Sequence, residues 1–214
     1  MIHVTDTPHG PAHVHLHPAD EPRGALVLGH GAGGGVAAPD LVAATGAAVP
    51  LGFSVALVEQ PYRVAGRRSS PAAHLLDAAW TAVLEELTAG ELNGLPLVVG
   101  GRSAGARVAC RTAEAIGAAA VLCLAFPLQP PARKGKPRAP DRLPELDAVT
   151  VPLLVVQGER DRFGVPPAGP NREVVEVPGD HSLRTDTRAV AAAVGSWLPR
   201  AVGARRKRRA GAAR

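Results

Sequence analysis

The sequence predicts an α/β domain with a doubly wound, mostly parallel β-sheet and an antiparallel hairpin at one edge. From about residue 25 to residue 198, short apolar runs alternate with stretches of helical length. The runs are apolar throughout, which is typical of parallel strands covered by helices on both faces. The first 17 residues instead alternate between apolar and polar side chains, as in a half-buried hairpin.

Length and composition fit a single soluble domain, which we place at residues 1–202. The chain has 214 residues, of which 46% are hydrophobic and 20% charged, as is ordinary for a globular protein. Aromatic residues make up only 3%, so we expect a core of Ala, Val and Leu. The scarcity of aromatic side chains also argues against a stacking surface for single-stranded nucleic acid.

The edge hairpin is predicted from the alternating stretches IHVT and AHVHLH. His13, His15 and His17 share one face of the second strand. Three imidazoles on one face suit a metal ion, but the sequence places no acidic or cysteine ligand beside them. We therefore expect a solvated strand face and no metal site.

The remaining elements follow in alternation. Strands are predicted at GALVLGH, FSVALVEQ, LPLVVGG, AAAVLCLAF, VPLLVVQG and REVVEVPG. Helices are predicted at PDLVAATGAAV, SPAAHLLDAAWTAVLEEL, AGARVACRTAEAI and DTRAVAAAVGSWL. Pro39 suits the first turn of the first helix, where its missing N–H costs little, and Ser70 is a candidate N-cap of the second helix.

Cysteine usage and the N-terminus together predict a cytoplasmic protein. Cys110 and Cys123 form no C-x-x-C pair, and we expect both to be buried free thiols. The opening residues, MIHVTDTPHG, lack the apolar segment of a signal peptide. No apolar run approaches 18 residues, so no transmembrane segment is expected.

The net charge of +5 is concentrated at the C-terminus. Seven of the 24 basic residues lie within the last 15 residues, so the rest of the chain is close to neutral. The segment 203–214 has no apolar periodicity and is predicted to be a disordered basic tail. Such a tail either binds nucleic acid or an anionic surface weakly through charge alone, or simply aids solubility.

A glycine-rich loop, VLGHGAGGG, follows the first buried strand and has two interpretations. Its G-x-G-x-x-G spacing at Gly29, Gly31 and Gly34 is typical of a dinucleotide-binding turn. In support of that interpretation, Glu59 ends the next strand, about where a ribose-binding acid belongs. The alternative is an oxyanion loop, in which a backbone N–H points at a reacting carbonyl group. The helix predicted from Pro39 starts too far from the glycines for a pyrophosphate site, which favours the oxyanion loop.

The strongest motif is GGRSAGAR, which places G-x-S-x-G at residues 101–105 between a predicted strand and a predicted helix. In this context Ser103 lies on a tight turn that exposes its hydroxyl group at the end of the sheet. Gly101 and Gly105 leave room for that turn. The N–H of Ala104, at the start of the helix, is placed to donate to an oxyanion. The motif therefore predicts a nucleophilic serine rather than a purely structural turn.

A serine nucleophile needs a base oriented by an acid, and the chain supplies both in the order Ser, Asp, His. Asp161 follows the predicted strand VPLLVVQG, and His181 lies in the loop after the last strand. Active groups of open parallel sheets collect at the carboxyl ends of the strands, where all three candidates fall. Asp180 is a rival acid. An immediate neighbour rarely turns back onto the ring of its own histidine, so we favour Asp161.

Five stretches, LGHGAGGG, GGRSAGAR, FPLQPP, VVQGERDRFG and GDHSL, together resemble the α/β-hydrolase superfamily. More narrowly, they resemble its small-hydrolase branch that includes subunit 3 of the NSL chromatin complex and bacterial relatives. The resemblance implies an α/β-hydrolase fold with Ser103 as nucleophile, His181 as base and Asp161 as its orienting acid. It also implies an oxyanion hole formed by the N–H groups of Ala32 and Ala104. We expect further contacts with the substrate from His30, Gly31, Arg102, Phe126 and Leu128.

The connection between the strands AAAVLCLAF and VPLLVVQG is short, about 23 residues (129–151). Larger members of the superfamily insert a helical lid here. No substantial cap fits, so we expect an open site that takes short acyl groups. The connection carries four basic residues that either attract an anionic substrate or are merely solvated: Arg133, Lys134, Lys136 and Arg138.

These observations predict a lidless serine hydrolase that cleaves an ester, thioester or related acyl bond of a small substrate through an acyl-enzyme. No metal or organic cofactor is expected. A second hypothesis is a catalytically silent protein of the same fold that recruits a partner or nucleic acid through its basic tail, because the resembling branch includes members that act as scaffolds.

Overall fold

A computed structural model describes residues 1–130, 135, 137 and 139–212, the last nine of them by backbone alone. These residues form one eight-stranded sheet. Its strands are β1 (Ile2–Thr7), β2 (Gly10–His17), β3 (Gly24–Gly29), β4 (Phe53–Glu59), β5 (Leu97–Arg102), β6 (Ala120–Leu124), β7 (Leu153–Gly158) and β8 (Arg172–Val177). Their spatial order is β1-β2-β4-β3-β5-β6-β7-β8.

Strand pairing is antiparallel at one edge of the sheet and parallel elsewhere. β1 pairs with β2, and β2 with β4, in antiparallel register. The other five pairings, from β4–β3 to β7–β8, are parallel. This arrangement confirms the predicted fold class with its edge hairpin. Strands β3 to β7 are buried at nearly every position, which explains why they appear in the sequence as continuous apolar runs.

Helices flank both faces of the sheet. They are α1 (Pro39–Ala48), α2 (Pro61–Val64), α3 (Ala73–Ala89), α4 (Ala104–Thr112), α5 (Leu143–Asp147) and α6 (Thr187–Ala212). Helices α1 and α6 cover one face and α3 and α4 the other, and each face has its own apolar core. Within the described part of the chain, no helix is both long enough and apolar enough to cross a membrane.

The structure corrects the predicted start of α3. The N-cap of this helix is Ala72, which offers no side-chain hydrogen bond, and Ser70 lies outside the helix. The hydroxyl of Ser70 donates to the carbonyl oxygen of Pro71 and therefore does not cap the first helical N–H groups. Helices α2 and α5 were not predicted, because four or five residues are too few to show a helical period.

The C-terminal helix is longer than predicted. α6 continues to Ala212, whereas the sequence predicts a disordered tail over 203–214. Ala, Arg and Lys are among the best helix formers, so a segment without apolar periodicity can still continue a helix. The side chains of Ala201 and Val202 are buried. The division into domain and tail, and the contact of the tail with nucleic acid or an anionic surface, stay predictions.

The two cysteines are buried and unpaired by a disulfide, as predicted. Cys110 lies on α4 and Cys123 on β6, and their Sγ atoms are 3.5 Å apart. Burial raises the pKa of the Cys123 thiol well above its ordinary value, so this residue carries little thiolate at neutral pH.

The imidazole face of β2 is less isolated than the sequence suggests. Pairing with β4 places His13 opposite Glu59, and Nδ1 of His13 lies 3.7 Å from Oε2 of Glu59. Nε2 of His15 lies 4.0 Å from the same oxygen. The expectation that no acidic side chain stands beside these histidines is therefore wrong, because the neighbour comes from a distant strand. Among the described residues, no group of three or more His, Cys, Asp or Glu side chains is arranged to hold a metal ion.

Candidate active site

The turn between β5 and α4 holds Ser103 in a strained conformation. Its backbone has φ 52° and ψ −105°, a region that non-glycine residues rarely adopt. Such a conformation costs about 1–3 kcal/mol and persists only where the surroundings enforce it. Here the N–H of Ser103 donates to the carbonyl oxygen of Leu124 at 2.9 Å, which ties the turn to the end of β6. The strain is the expected mark of a serine displayed at the edge of a sheet.

Glycines allow this turn to touch the neighbouring strand. A Cβ atom added to Gly101 or to Gly105 would overlap the carbonyl oxygen of Gly29, the last residue of β3. Gly101 also has a positive φ of 156°. The backbone of the serine turn is therefore in direct contact with the start of the glycine-rich loop, with no side chain between them.

We expect Gly105→Ala to lower the free energy of unfolding by about 1–3 kcal/mol, because the added methyl group forces α4 away from β3. Gly46→Ala is a matched control in another helix. A Cβ at Gly46 meets no atom within 4 Å, so this change should stabilise α1 by about 0.5–1 kcal/mol. Urea denaturation measures both. A Gly105→Ala variant as stable as the wild type would mean that the close contact between α4 and β3 is not required.

The structure brings the three predicted catalytic residues together. Nε2 of His181 lies 2.9 Å from Oγ of Ser103, and its Nδ1 lies 2.7 Å from Oδ2 of Asp161. The carboxyl group of Asp161 is fully buried, whereas 17% of the His181 side chain is exposed. An ionised carboxylate only accepts hydrogen bonds, so Nδ1 of His181 carries a proton and Nε2 is free to accept one from the serine hydroxyl.

The rival acid faces elsewhere. Oδ1 of Asp180 accepts hydrogen bonds from the N–H and the hydroxyl of Ser182, at 2.8 and 2.6 Å. These bonds lower the pKa of the exposed Asp180 carboxyl. The imidazole of His181 also packs against the ring of Phe163, edge-on and with 4.4 Å between the ring centroids. The local geometry therefore pairs His181 with Asp161 and not with its neighbour in sequence.

The glycine-rich loop is held by hydrogen bonds from His30 and Tyr62. Nδ1 of His30 donates to the carbonyl oxygen of Gly31 at 2.8 Å, and Nε2 accepts the N–H of Gln60 at 3.0 Å. The Tyr62 hydroxyl donates to the carbonyl oxygen of Ala32 at 2.9 Å. Burial lowers the pKa of His30, so its ring is neutral. With both ring nitrogens occupied, His30 fixes the loop and is not available as a proton acceptor.

One predicted oxyanion donor, Ala104, directly follows the serine, and the other, Ala32, follows Gly31, where an added Cβ would lie 3.5 Å from Cβ of Ser103. Ala104 is the first residue of α4, where the N–H has no partner within the helix. Ala32 lies in the loop fixed by His30 and Tyr62. Their joint action on an oxyanion stays a prediction.

Arg102, the residue before the serine, contacts the loop of His181, the first turn of α1 and the glycine-rich loop. Its Nη2 donates to the carbonyl oxygen of His181 at 2.9 Å. Its Nε lies 3.0 Å from Oδ2 of Asp40, an ion-pair contact that lacks the direction of a hydrogen bond. Asp40 is fully buried in the first turn of α1. A Cβ added to Gly31 would come within 2.7 Å of Nη1, so the glycine leaves room for the guanidinium group. Contact of Arg102 or Gly31 with substrate stays a prediction.

The two predicted apolar contacts lie deeper than expected. Phe126 is fully buried and Leu128 is 9% exposed, and both belong to the apolar core on the α3 and α4 side of the sheet. As placed, the ring of Phe126 is a core group with no surface to offer a ligand. The four basic residues that the sequence suggested for attracting an anionic substrate lie outside the described residues: Arg133, Lys134, Lys136 and Arg138.

Two residues that contact the candidate site from the interior, Asp40 and Gln157, were not identified from the sequence. Asp40 looks like an ordinary acidic residue in the first turn of a helix, and nothing local indicates its ion pair with a residue 62 positions away. Gln157 looks like the polar end of a buried strand. In the structure its Nε2 donates to Oδ2 of Asp161, four residues later. That short separation was the only sign of the contact in the sequence, and it can be interpreted only when the turn after β7 is known.

A comparison with protein families decides the family of this chain. The model of the "Alpha/beta hydrolase domain" family matches residues 22–193. The chain belongs to the α/β-hydrolase family. The N-terminal hairpin and the order of the strands in this α/β hydrolase agree with that assignment.

Several solved structures share the fold of this chain. XC6422 from Xanthomonas campestris, described as a serine hydrolase without lid, has a TM-score of 0.73 and 19% identity, covering 94% of each chain. Est1E from Butyrivibrio proteoclasticus has a TM-score of 0.73 and 16% identity, covering 94% of this chain and 99% of the other. A structure of Est1E with bound ferulic acid has a TM-score of 0.71, at the same identity and coverage. No curated protein sequence matches this α/β hydrolase.

Proposed function

We propose that this α/β hydrolase is a serine hydrolase that cleaves an ester, thioester or related acyl bond of a small substrate. The observation that carries the proposal is the continuous line of contacts from Ser103 through His181 to Asp161, with heavy-atom distances of 2.9 and 2.7 Å. The shorter contact lets Asp161 orient the imidazole, and the contact with Ser103 permits proton transfer from the hydroxyl to Nε2 of His181. The strained backbone of Ser103 supports the same role, because it has no evident use in a purely structural turn.

In the proposed mechanism, Nε2 of His181 takes the hydroxyl proton as Oγ of Ser103 attacks the substrate carbonyl carbon. The negative charge that develops on the carbonyl oxygen is stabilised by the N–H groups of Ala104 and Ala32. The imidazolium then gives its proton to the departing alcohol or thiol, which leaves an acyl-enzyme on Ser103. Water activated by the same imidazole hydrolyses the acyl-enzyme and restores the serine. Asp161 stays ionised and stabilises the imidazolium.

We also propose a small acyl substrate. The short connection between β6 and β7 contributes the five-residue helix α5 in its described part, so little chain is available to cover the site. A long acyl chain would find little apolar wall there, and each buried CH₂ would otherwise add about 0.8 kcal/mol. The ferulic acid bound by Est1E is a small acid of this kind. The five motifs quoted above support a closer kinship with the branch of NSL subunit 3, which we keep as part of the proposal.

Labelling with a fluorophosphonate probe tests the proposal. Intact mass should show one adduct on the wild type, none on Ser103→Ala and far less on His181→Ala, because the probe reacts with an activated serine. Ser182→Ala is the control, since Ser182 lies beside His181 but bonds to Asp180, and it should label like the wild type. If the wild type is not labelled, the fold serves as a catalytically silent scaffold. If Ser103→Ala is labelled equally, Ser103 is not the residue that reacts.

A further inference from the structure

Gln157 is a buried glutamine whose side chain meets the candidate acid. It lies on β7, four residues before Asp161, and is fully buried. Its Nε2 is 2.8 Å from Oδ2 of Asp161 and 3.0 Å from the carbonyl oxygens of both Phe126 and Gly164. All three neighbours are hydrogen-bond acceptors. The orientation of the amide is therefore determined, with nitrogen towards Asp161 and oxygen away from it.

The oxygen of the same amide is left without a partner. Oε1 of Gln157 is buried, and no described residue donates a hydrogen bond to it. An unpaired buried acceptor costs about 1–3 kcal/mol. A glutamine is therefore a poor choice for packing alone at this position. The hydrogen bonds that offset this cost are all made by Nε2 of Gln157. The bond to Asp161 is the strongest of them, because its acceptor is a charged carboxylate.

Three donors converge on the carboxylate of Asp161. Its Oδ2 accepts from Gln157 and from Nδ1 of His181, while Oδ1 accepts the N–H of Phe163 at 2.9 Å. The N–H of Phe163 belongs to the loop that follows β7, and the imidazole belongs to the loop after β8. Gln157 is the donor that lies on a sheet strand, and its amide also donates to the carbonyl of Phe126, two residues beyond the end of β6. It is therefore the most rigidly placed of the three.

We propose that Gln157 is a positioning residue that holds the Asp161 carboxylate in the plane and register required by His181. The proposal rests on the proposed function, because it concerns how the acid of that triad is oriented. Gln157 touches neither the substrate nor the serine and acts through Asp161. Asp161 is the ionisable group that Gln157 bonds, and His181 bonds the same carboxylate. Arg142 donates to the carbonyl of Pro127, the neighbour of Phe126 in sequence.

Gln157→Met is expected to lower kcat for a small ester by about 10- to 100-fold and to change KM little. Methionine keeps the length of the side chain but removes both N–H donors, so the carboxylate can turn out of the plane of the imidazole. A displacement of about 1 Å in a catalytic group has an effect of this size. Substrate binding is little affected, because Gln157 lies behind the acid and away from the serine.

Gln157→Glu gives a readout that packing alone would not produce. Two buried carboxyl groups this close do not both ionise, so at low and neutral pH the new carboxyl group keeps a proton and donates it to Oδ2 of Asp161. Activity should then be restored relative to Gln157→Met. As pH rises and the shared proton is lost, the two carboxylates repel each other and activity should fall. The kcat/KM profile should thus gain an alkaline limb that the wild type lacks.

Thr5→Asp is the control for the pH profile. Thr5 is 1% exposed and its Oγ1 also lacks a partner among the described residues, but it lies on β1, at the opposite side of the sheet from β7. Its profile should keep the shape of the wild-type profile. A new alkaline limb in both variants would show that any buried carboxyl group produces it, and would overturn the proposal.

Proton NMR separates failure of this proposal from failure of the proposed function. The Nδ1–H of His181, bonded to a carboxylate, should give a far-downfield resonance that disappears in Asp161→Asn and shifts in Gln157→Met. If the wild type hydrolyses no ester yet the resonance shifts, the positioning role stands without the catalytic one. If the wild type is active and Gln157→Met changes neither the resonance nor kcat, Gln157 does not position Asp161.

Discussion

Asp161→Asn is expected to lower kcat for ester hydrolysis by about ten thousand-fold while leaving the fold intact. The backbone N–H of Phe163, which donates to Oδ1, cannot turn away, so we expect the asparagine oxygen to stay there and its NH₂ group to replace Oδ2. The amide of Gln157, which now donates to Oδ2, would then have to turn and present its oxygen to that NH₂ group. That NH₂ group would face Nδ1 of His181, now 2.7 Å from Oδ2, and donate to it. The imidazole would then carry its proton on Nε2, where it could not accept the proton of Ser103. Stopped-flow or steady-state hydrolysis of a small aryl ester measures the loss.

Asp180→Asn is the matched control for this change. Asp180 neighbours His181 in sequence, but its carboxylate is bonded to Ser182 and is exposed. Removing its charge should change kcat less than about threefold, as expected for an exposed group whose interactions are screened by solvent. Inactivity of Asp180→Asn combined with full activity of Asp161→Asn would show that the acid has been assigned to the wrong residue.

Arg102→Met is expected to lower the free energy of unfolding by about 3–5 kcal/mol, because it leaves Asp40 as an unpaired charge in the interior. Burial already raises the pKa of Asp40, and Arg102 is the largest of the influences that lower it again. Without the arginine, the carboxyl group can escape the penalty only by taking up a proton. The loss of stability should therefore be smallest in acid and should grow as pH rises, which denaturation at several pH values would reveal.

A charge-balanced double variant separates two contributions to the free energy of unfolding: that of the ion pair and that of the packing of the Arg102 side chain. Asp40→Asn combined with Arg102→Met removes the buried charge together with its partner, and most of the stability should return. Activity should not return to the same extent, because the bond from Arg102 to the carbonyl oxygen of His181 is still missing. A double variant as unstable as Arg102→Met would mean that packing, and not charge, explains the loss.

The fold was predictable because its signals are local. Each central strand is a continuous apolar run, and Pro39 marks the first turn of α1 as expected. The serine motif was predictable for the same reason, since glycines on both sides of Ser103 are adjacent in sequence. Asp161 and His181 could be chosen because strand ends of a parallel sheet share one edge. For the strands and the serine turn, a short stretch of sequence carries the physical requirement by itself, whereas Asp161 and His181 follow from the predicted sheet.

The remaining features depend on contacts between distant segments. The ion pair of Arg102 with Asp40 links residues from β5 and α1, and no pattern along the chain records it. The depth of Phe126 was misjudged because a residue just beyond a strand can continue into the core, as it does here after the positive φ of Ala125. The helical path beyond residue 203 was missed because apolar periodicity was given more weight than intrinsic helix propensity.

The burial of both native cysteines makes this protein suitable for site-specific attachment of probes. Cys110 and Cys123 are the two cysteines of the chain, and both are enclosed between α4 and the sheet. A maleimide reagent needs an accessible thiolate, which neither residue offers. A single cysteine introduced on an exposed loop beside the serine would therefore react selectively in an otherwise unmodified chain. A fluorophore or spin label placed in this way could report the binding of ligands beside the serine without first replacing the native thiols.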